Sequence, residues 1–574
     1  MKEFSQTNGN VLMNFTVKYC QTEGELLASY GFEKVIKNYV RSLEKNERVL
    51  FLKFKEICGD KIVETFIKVF KLLIVFPLEE IKETNEEFKA IYENREALLE
   101  FIEGLYNYWR HLERYAIIQT KEKSNGIQNV NFVDGTNNFN NLVLKTYRKI
   151  SANVNKELQN VYRQLAAGVN AGLIVNEMEW ELPSGYECLE NIPFIESIIL
   201  RPPFICYPKR NKRTGTYPEI LYNPLADVVT NPAHWFCYPA KVGESLAYVY
   251  FHRDYMCHGI ALCNLFELAK VDEYRGKKPD LIYVFGARTD GDLESKFYHD
   301  TENDIYVGIA YHTDEIDYFG YMKKMLLTIH NVKMINQGGL PTHGSMVNII
   351  MKDGKEANVL IIGDSGAGKS ESIEAFRTLS KKYLKEIKII FDDMGTLKMR
   401  GNDVVGYGTE IGAFVRLDDL EVGYAYNEMD RAIFMNPDKI NSRVVVPAST
   451  YNDIMEGYKV DIMLYANNFE VPEDAEMKLF DNYKDAIEVF RKGQRKAKGT
   501  TSENGIVSSY FANPFGPVQR QEQTEKLLEK YFSKLAENNV PIGMIYTQLA
   551  VEGKEHEGPK LAAEKLFDWI KNNK

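Results

Sequence analysis

Apolar residues recur every three to four positions through the first part of the chain, over 33–54, 61–73, 86–106 and 141–166. That spacing gives a helix one apolar face. Only Pro77 interrupts the first 180 residues. The pattern predicts an all-helical domain over 1–165, with loops at 125–129 and 134–138 where Asn, Asp and Gly cluster. A structural or oligomerising role fits such a domain. Past residue 180 the pattern changes. Prolines crowd 183–239, and short β-rich runs at 198–200, 247–251, 281–285 and 305–311 replace the helical spacing. From residue 305 onward, strands and helices alternate. The expected order is a helix over 322–335, a loop over 338–345, strands at 346–351 and 359–362, a helix over 371–382 and a strand at 387–393. Alternation of this kind predicts an α/β fold.

At 574 residues the chain has room for roughly two to four domains. Its net charge of −10 argues against nucleic acid as the main partner, though a local basic cleft would still bind anions. No uncharged apolar run reaches membrane-spanning length; the richest, 69–77, is broken by Lys71. The opening Met-Lys-Glu-Phe-Ser has no long apolar core, so a cytoplasmic protein is expected. Seven scattered cysteines are then expected to be reduced thiols.

The candidate chemistry centres on one stretch. The apolar run Val359, Leu360, Ile361, Ile362 leads into Gly363, Asp364, Ser365, Gly366, Ala367, Gly368, Lys369 and Ser370, which fits the phosphate-loop pattern G-x-x-x-x-G-K-[ST]. The glycines let backbone N–H groups face a polyphosphate, and the helix N-terminus and Lys369 add positive charge. Ser370 is placed to coordinate Mg²⁺. A second apolar strand ends in Asp392 and Asp393, the acids a phosphate loop needs to hold its metal directly or through water. Lys209, Arg210, Lys212 and Arg213 form a basic cluster suited to a carboxylate or phosphate, or to solvent. His252, Asp254, Cys257 and His258 lie close together, but their spacing fits no standard zinc pattern, and a structural reading is preferred. The Gly-rich, basic stretch 493–505 has the composition of a lid over a phosphate site or of a surface loop.

From about residue 305 to the end, half of the chain, seven short blocks in order resemble the phosphoenolpyruvate carboxykinases. They are Tyr318-Phe-Gly-Tyr-Met-Lys-Lys324, Leu340-Pro-Thr-His343-Gly-Ser, the phosphate loop, Phe391-Asp-Asp-Met-Gly, Glu410-Ile-Gly-Ala-Phe-Val-Arg416, Asn441-Ser-Arg443-Val-Val-Val-Pro and Lys496-Ala-Lys-Gly-Thr-Thr-Ser-Glu503. The interval from Lys324 to His343 equals the family's interval between the corresponding residues. Arg213 falls in 212–218, which echoes the family's substrate-binding block.

The resemblance implies a two-lobed core, with a substrate and metal lobe over 166–350 and a phosphate-binding lobe with a lid over 351–574. It implies that Lys324, His343 and Asp393 carry Mn²⁺, that Lys369 and Ser370 hold donor phosphates and Mg²⁺ with Asp392 behind them, and that Arg443 grips the organic acid. The reaction implied is interconversion of oxaloacetate with phosphoenolpyruvate and CO₂, with ATP, GTP or pyrophosphate as partner. The loop ending Gly368-Lys-Ser-Glu371 also resembles HPr kinase. A kinase acting on a protein serine or small hydroxyl compound is therefore the second expectation, and a non-catalytic nucleotide sensor the third.

Overall fold

The computed structural model describes all residues except 1, 8, 47–48, 121–125, 156–166, 213–214, 290, 380–382, 418–429, 473–475, 498–504 and 574. The chain divides into two compact units, Met1–Glu177 with Ile195–Phe204, and Met178–Phe194 with Ile205–Lys574. The position expected to divide two lobes, residue 350, lies inside the strand Leu340–Met351. Both edges of that strand are paired.

The first unit is not all-helical. Strand Phe4–Thr7 pairs antiparallel with Asn10–Asn14, which runs parallel to Glu113–Thr120, itself parallel to Ala171–Asn176. Asn10–Asn14 and Ala171–Asn176 are short and buried on both faces, so they lack the alternation that marks a half-exposed strand. The helical spacing does yield helices at Tyr30–Lys45, Ile62–Leu73 and Arg95–His111, whose apolar faces meet in one core. The loop expected at 134–138 and residues 126–129 of the one expected at 125–129 are overturned, residue 125 lying outside the described residues: one helix runs Gly126–Val154. The Asn-rich stretch stays helical because Phe132, Phe139 and Leu142 bury one face, a tertiary gain that outweighs its weak propensity.

The second unit contains two larger sheets. In one, Ser245–His252 pairs antiparallel with Trp235–Val242 and parallel with Leu281–Ala287, which is parallel to Ile305–Tyr311. The other has eight strands, and its centre runs Leu384–Arg400, Leu340–Met351, Glu356–Ile362, Ile462–Asn467. Apolar side chains cover both faces of this sheet. A third, smaller sheet pairs Gly412–Arg416 and Ile433–Met435 with Arg443–Pro447. Helix Phe319–Asn336 is buried on nearly every side, so the residues it carries are held without freedom to turn outward. No described helix is long and apolar enough to cross a membrane.

Candidate functional site

The strand Glu356–Ile362 is apolar and buried because it runs between a parallel and an antiparallel neighbour. It ends at Gly363, and a helix begins at Lys369. Gly368 has φ 91°, and a Cβ there would lie 2.5 Å from Oγ1 of Thr547, so glycine is needed on both counts. Thr547 in turn donates to the carbonyl of Ala367 at 2.6 Å and props the loop from behind. Asn468 does the same at the Gly366 carbonyl, at 2.8 Å. Lys369 is buried. Its Nζ donates to the carbonyls of Gly363 at 2.6 Å and Asp364 at 3.2 Å, which places the ammonium inside the loop. Arg495 Nε donates to Asp364 at 2.9 Å. Burial resists ionisation of Asp364, but His343 and Arg495 outweigh it and hold the carboxyl below its usual range.

Asp392 and Asp393 were expected at a strand end. They sit mid-strand instead, in Leu384–Arg400, opposite Ser345 and Gly344. The strand continues because its second half pairs with Asp403–Gly408. Ser370 Oγ donates to both Asp392 oxygens, at 2.9 and 3.0 Å, and Ser345 donates to the same carboxylate. Asp393 has φ 134°, a region non-glycine residues rarely occupy and one that marks strained functional positions. Its carboxylate meets His343 Nε2 at 2.7 Å, Lys324 Nζ at 2.7 Å and Lys323 Nζ at 2.6 Å.

His343 was expected in a loop and lies in the strand Leu340–Met351, fully buried. Its Nδ1 is 2.8 Å from the carbonyl of Ala512, so Nδ1 carries the proton and donates. Nε2 is left to face Asp393. Burial, with Lys369 nearby, pulls the ring's pKa down, while Asp393 is held well below its usual value by Lys323, Lys324 and His343 against the cost of its burial. His343 Nε2 and Asp393 Oδ1 thus face each other at 2.7 Å, a nitrogen and an oxygen whose chemistry suits a shared proton or a cation. Phe511 and Ala512, both at left-handed φ (53° and 51°), shape the turn that presents the orienting carbonyl.

Burial also lowers the pKa of Lys324, whose Nζ sits 4.7 Å above the ring of Phe515. Loss of its proton would leave an amine able to serve as a ligand. Lys323 behaves oppositely: burial pulls it down, but Asp393 and Glu410 hold it above its usual value. Glu410 lies 3.1 Å from Lys323, at ion-pair distance without hydrogen-bond alignment. Burial pushes its carboxyl up to about 7.

Arg443 opens the strand Arg443–Pro447, opposite Arg416. Its guanidinium is 5.5 Å from the ring of Phe414, which also packs against Phe319 at the start of the Lys323–Lys324 helix. Nε of Arg443 is buried without a hydrogen-bond partner among the described residues. The basic loop reaches the same strand end: Asn211 accepts from Asn436 at 2.6 Å, and its backbone carbonyl accepts from Asn441 at 2.6 Å. Arg213 lies outside the described residues, as do 498–504 of the expected lid. The flanks of that lid are not an irregular loop: Gln494–Lys496 and Ile506–Ser508 form an antiparallel pair.

The sequence quartet around Asp254 comes apart. Cys257 is bonded to Cys206, which corrects the expectation of seven free thiols, and five free cysteines remain. His258 pairs with Asp317 at 2.8 Å. His252 and Asp254 instead face His312.

The structure therefore gathers Gly363 to Ser370, Asp392, Asp393, Lys324 and His343 into one constellation. Sequence reading placed Glu410 in one of the seven blocks without giving it a role, and missed Arg495, Asn468, Thr547 and the Ala512 carbonyl. These four have no local signature, because each reaches the site only through sheet pairing or a turn far along the chain. No protein-family model matches this chain, and no curated protein matches it.

Proposed function

We propose that the chain is a divalent-metal-dependent phosphotransferase of the phosphoenolpyruvate carboxykinase kind, acting on oxaloacetate or a related organic acid with a nucleotide or pyrophosphate donor. The observation that carries this reading is the meeting of His343, Lys324 and Asp393 beside the Ser370–Asp392 pair. A phosphate loop alone needs only the second pair. The first adds a His, an amine and a carboxylate whose combined chemistry fits Mn²⁺, and Ser370 with Asp392 fits Mg²⁺. Bound there, the cations would offset negative charge gathering on an enolate and a phosphoryl group.

The chain's own groups divide the remaining work. Lys369 and the loop N–H groups cradle the donor phosphates. Arg443, whose buried Nε has no hydrogen-bond partner among the described residues, offers a fork to the acid's carboxylate. The Ala512 carbonyl fixes the His343 tautomer, and Phe515 keeps water from Lys324. One sequence feature favours a second reading: the loop form Gly368-Lys-Ser-Glu371, which suits a kinase acting on a hydroxyl acceptor.

A coupled carboxykinase assay in both directions separates the two. It contains Mn²⁺ and Mg²⁺, with ATP/ADP, GTP/GDP or pyrophosphate/phosphate in separate reactions. Activity in one donor series that disappears in Lys369→Ala is the expected outcome. Silence in all series, with pyrophosphate still raising the melting temperature, would replace this reading with the hydroxyl kinase.

A further inference from the structure

His252 is the last residue of the strand Ser245–His252, and His312 directly follows Ile305–Tyr311. Both strands run parallel to Leu281–Ala287 and flank it, so both histidines stand at carboxyl ends of parallel strands. That edge is where α/β sheets characteristically bind ligands. Asp254, two residues past the first strand, points its carboxylate between them. Oδ2 of Asp254 is 2.9 Å from Nε2 of His312 and 3.4 Å from Nδ1 of His252. One ligand atom from each residue lies within 4.8 Å of those from the other two.

These separations have a metal's scale. Ligands at about 2.0–2.2 Å around a tetrahedral zinc stand roughly 3.3–3.6 Å apart. The His252 pair already has that distance, and the His312 pair opens by about half an ångström to reach it. The backbone N–H of Asp254 donates to Nδ1 of His252 at 3.3 Å, so Nδ1 is the unprotonated nitrogen, and a metal there takes its lone pair in place of that long hydrogen bond. His252 and Asp254 are shielded, each with a side chain 9% exposed, while His312 at 24% leaves an approach from solvent. Two imidazoles and one carboxylate are a borderline-soft donor set, better suited to Zn²⁺ than to Mg²⁺ or Ca²⁺.

We infer that His252, Asp254 and His312 form a second metal site, separate from the Lys324–His343–Asp393 set, that takes a Zn²⁺-class ion and leaves one coordination position open. Three protein ligands with an open fourth position is the pattern of zinc sites that bind a further ligand.

The test uses the full chain carrying His343→Gln, which removes the other histidine-containing set from the count, after stripping with a chelator. Calorimetry with Zn²⁺ is expected to give one ion per chain. Co²⁺ in its place is expected to give the visible absorption of tetrahedral nitrogen and oxygen ligation. Adding His312→Gln or Asp254→Asn should weaken binding by more than the roughly 10–100-fold that loss of an outer partner costs. It should also abolish the rise in melting temperature with Zn²⁺. His312→Gln can still hydrogen-bond Asp254, so the metal-free melting temperature should hold and report an intact fold. Binding that is unchanged by His312→Gln and Asp254→Asn would overturn the site. So would a Co²⁺ spectrum dominated by thiolate charge transfer, or no uptake at all.

Discussion

Around Phe101 the neighbours are rings: Phe66 stacked at 3.7 Å between centroids, with Tyr39, Phe54 and Phe70 at 5.2, 5.7 and 6.4 Å. Around Asp393 they are ionisable groups: Lys323, Lys324 and His343 within 2.7 Å, and Glu410 on the far side of Lys323. Both places are buried, yet their energetics differ. In the first unit each ring removes apolar surface from water and contributes on its own. In the second, each charge has lost its hydration and is tolerable only while its partners remain. The Phe101 core is what a chain builds to stay folded. The Asp393 cluster is costly for stability and makes sense as chemistry held ready for a ligand.

The sharpest break of that comparison is Asp393→Asn. It removes a carboxylate that three basic groups share. On the proposed function, turnover in the coupled assay should fall by about 10³-fold or more, because the charge balance that phosphoryl transfer needs would be lost. Stability should fall as well, by about 3–5 kcal/mol, since Lys324 loses its carboxylate partner and Lys323 keeps only Glu410. Urea melts measure the second effect. An unchanged melting curve would mean that the cluster is not the tightly coupled charge set described above.

Phe101→Ala sharpens the other side. The ring is 1% exposed and central to the apolar core, so its loss should cost about 3–5 kcal/mol by transfer and cavity together. Turnover per folded molecule should stay at the parent value. A comparable stability loss thus comes with chemistry destroyed in one variant and spared in the other. A drop in turnover for Phe101→Ala, corrected for the folded fraction, would join the two regions functionally.

How much of this was legible beforehand follows the same divide. The phosphate loop could be read because strand, glycines, lysine and helix are contiguous from Val359 to Ser370. The roles of Lys324, His343, Asp393 and Arg443 were expected from short blocks in order, and the structure brings the first three into contact. The strands of the first unit escaped notice: Asn10–Asn14 and Ala171–Asn176 are buried on both faces and show no alternation. The helix over Gly126–Val154 escaped for the opposite reason, since its Asn and Gly residues signal turns that packing overrides. Ala512 could not have been found at all. Its contribution is a carbonyl aimed by a left-handed turn, and a carbonyl has no letter in the sequence. His312 joined Asp254 from 58 residues away, beyond the range of any spacing argument.

Acid gives the finest separation of the two regions. The first unit contains one histidine, His111, and it is exposed. The second unit buries His330 and His343, and burial drives both toward the neutral form, His330 down to about 4 from an ordinary 6.5. A histidine depressed in the fold takes up its proton more readily when unfolded. Its contribution is therefore whole above pH 6.5 and is lost as pH falls toward 4, about 3 kcal/mol for His330 at the end of that window. Between pH 6.5 and 5 the loss should appear in the second unit alone once Glu410→Gln has removed a carboxyl raised to about 7, which takes up its proton over the same window and offsets the loss. Variants keeping only Trp109 or only Trp235 report the two units by fluorescence during urea melts. The Trp235 midpoint should drop through that window while the Trp109 midpoint holds, and His330→Gln should flatten the drop. Equal slopes for both tryptophans would show that buried histidines do not set the acid limit, and would leave the contrast between the two regions resting on the Asp393 cluster alone.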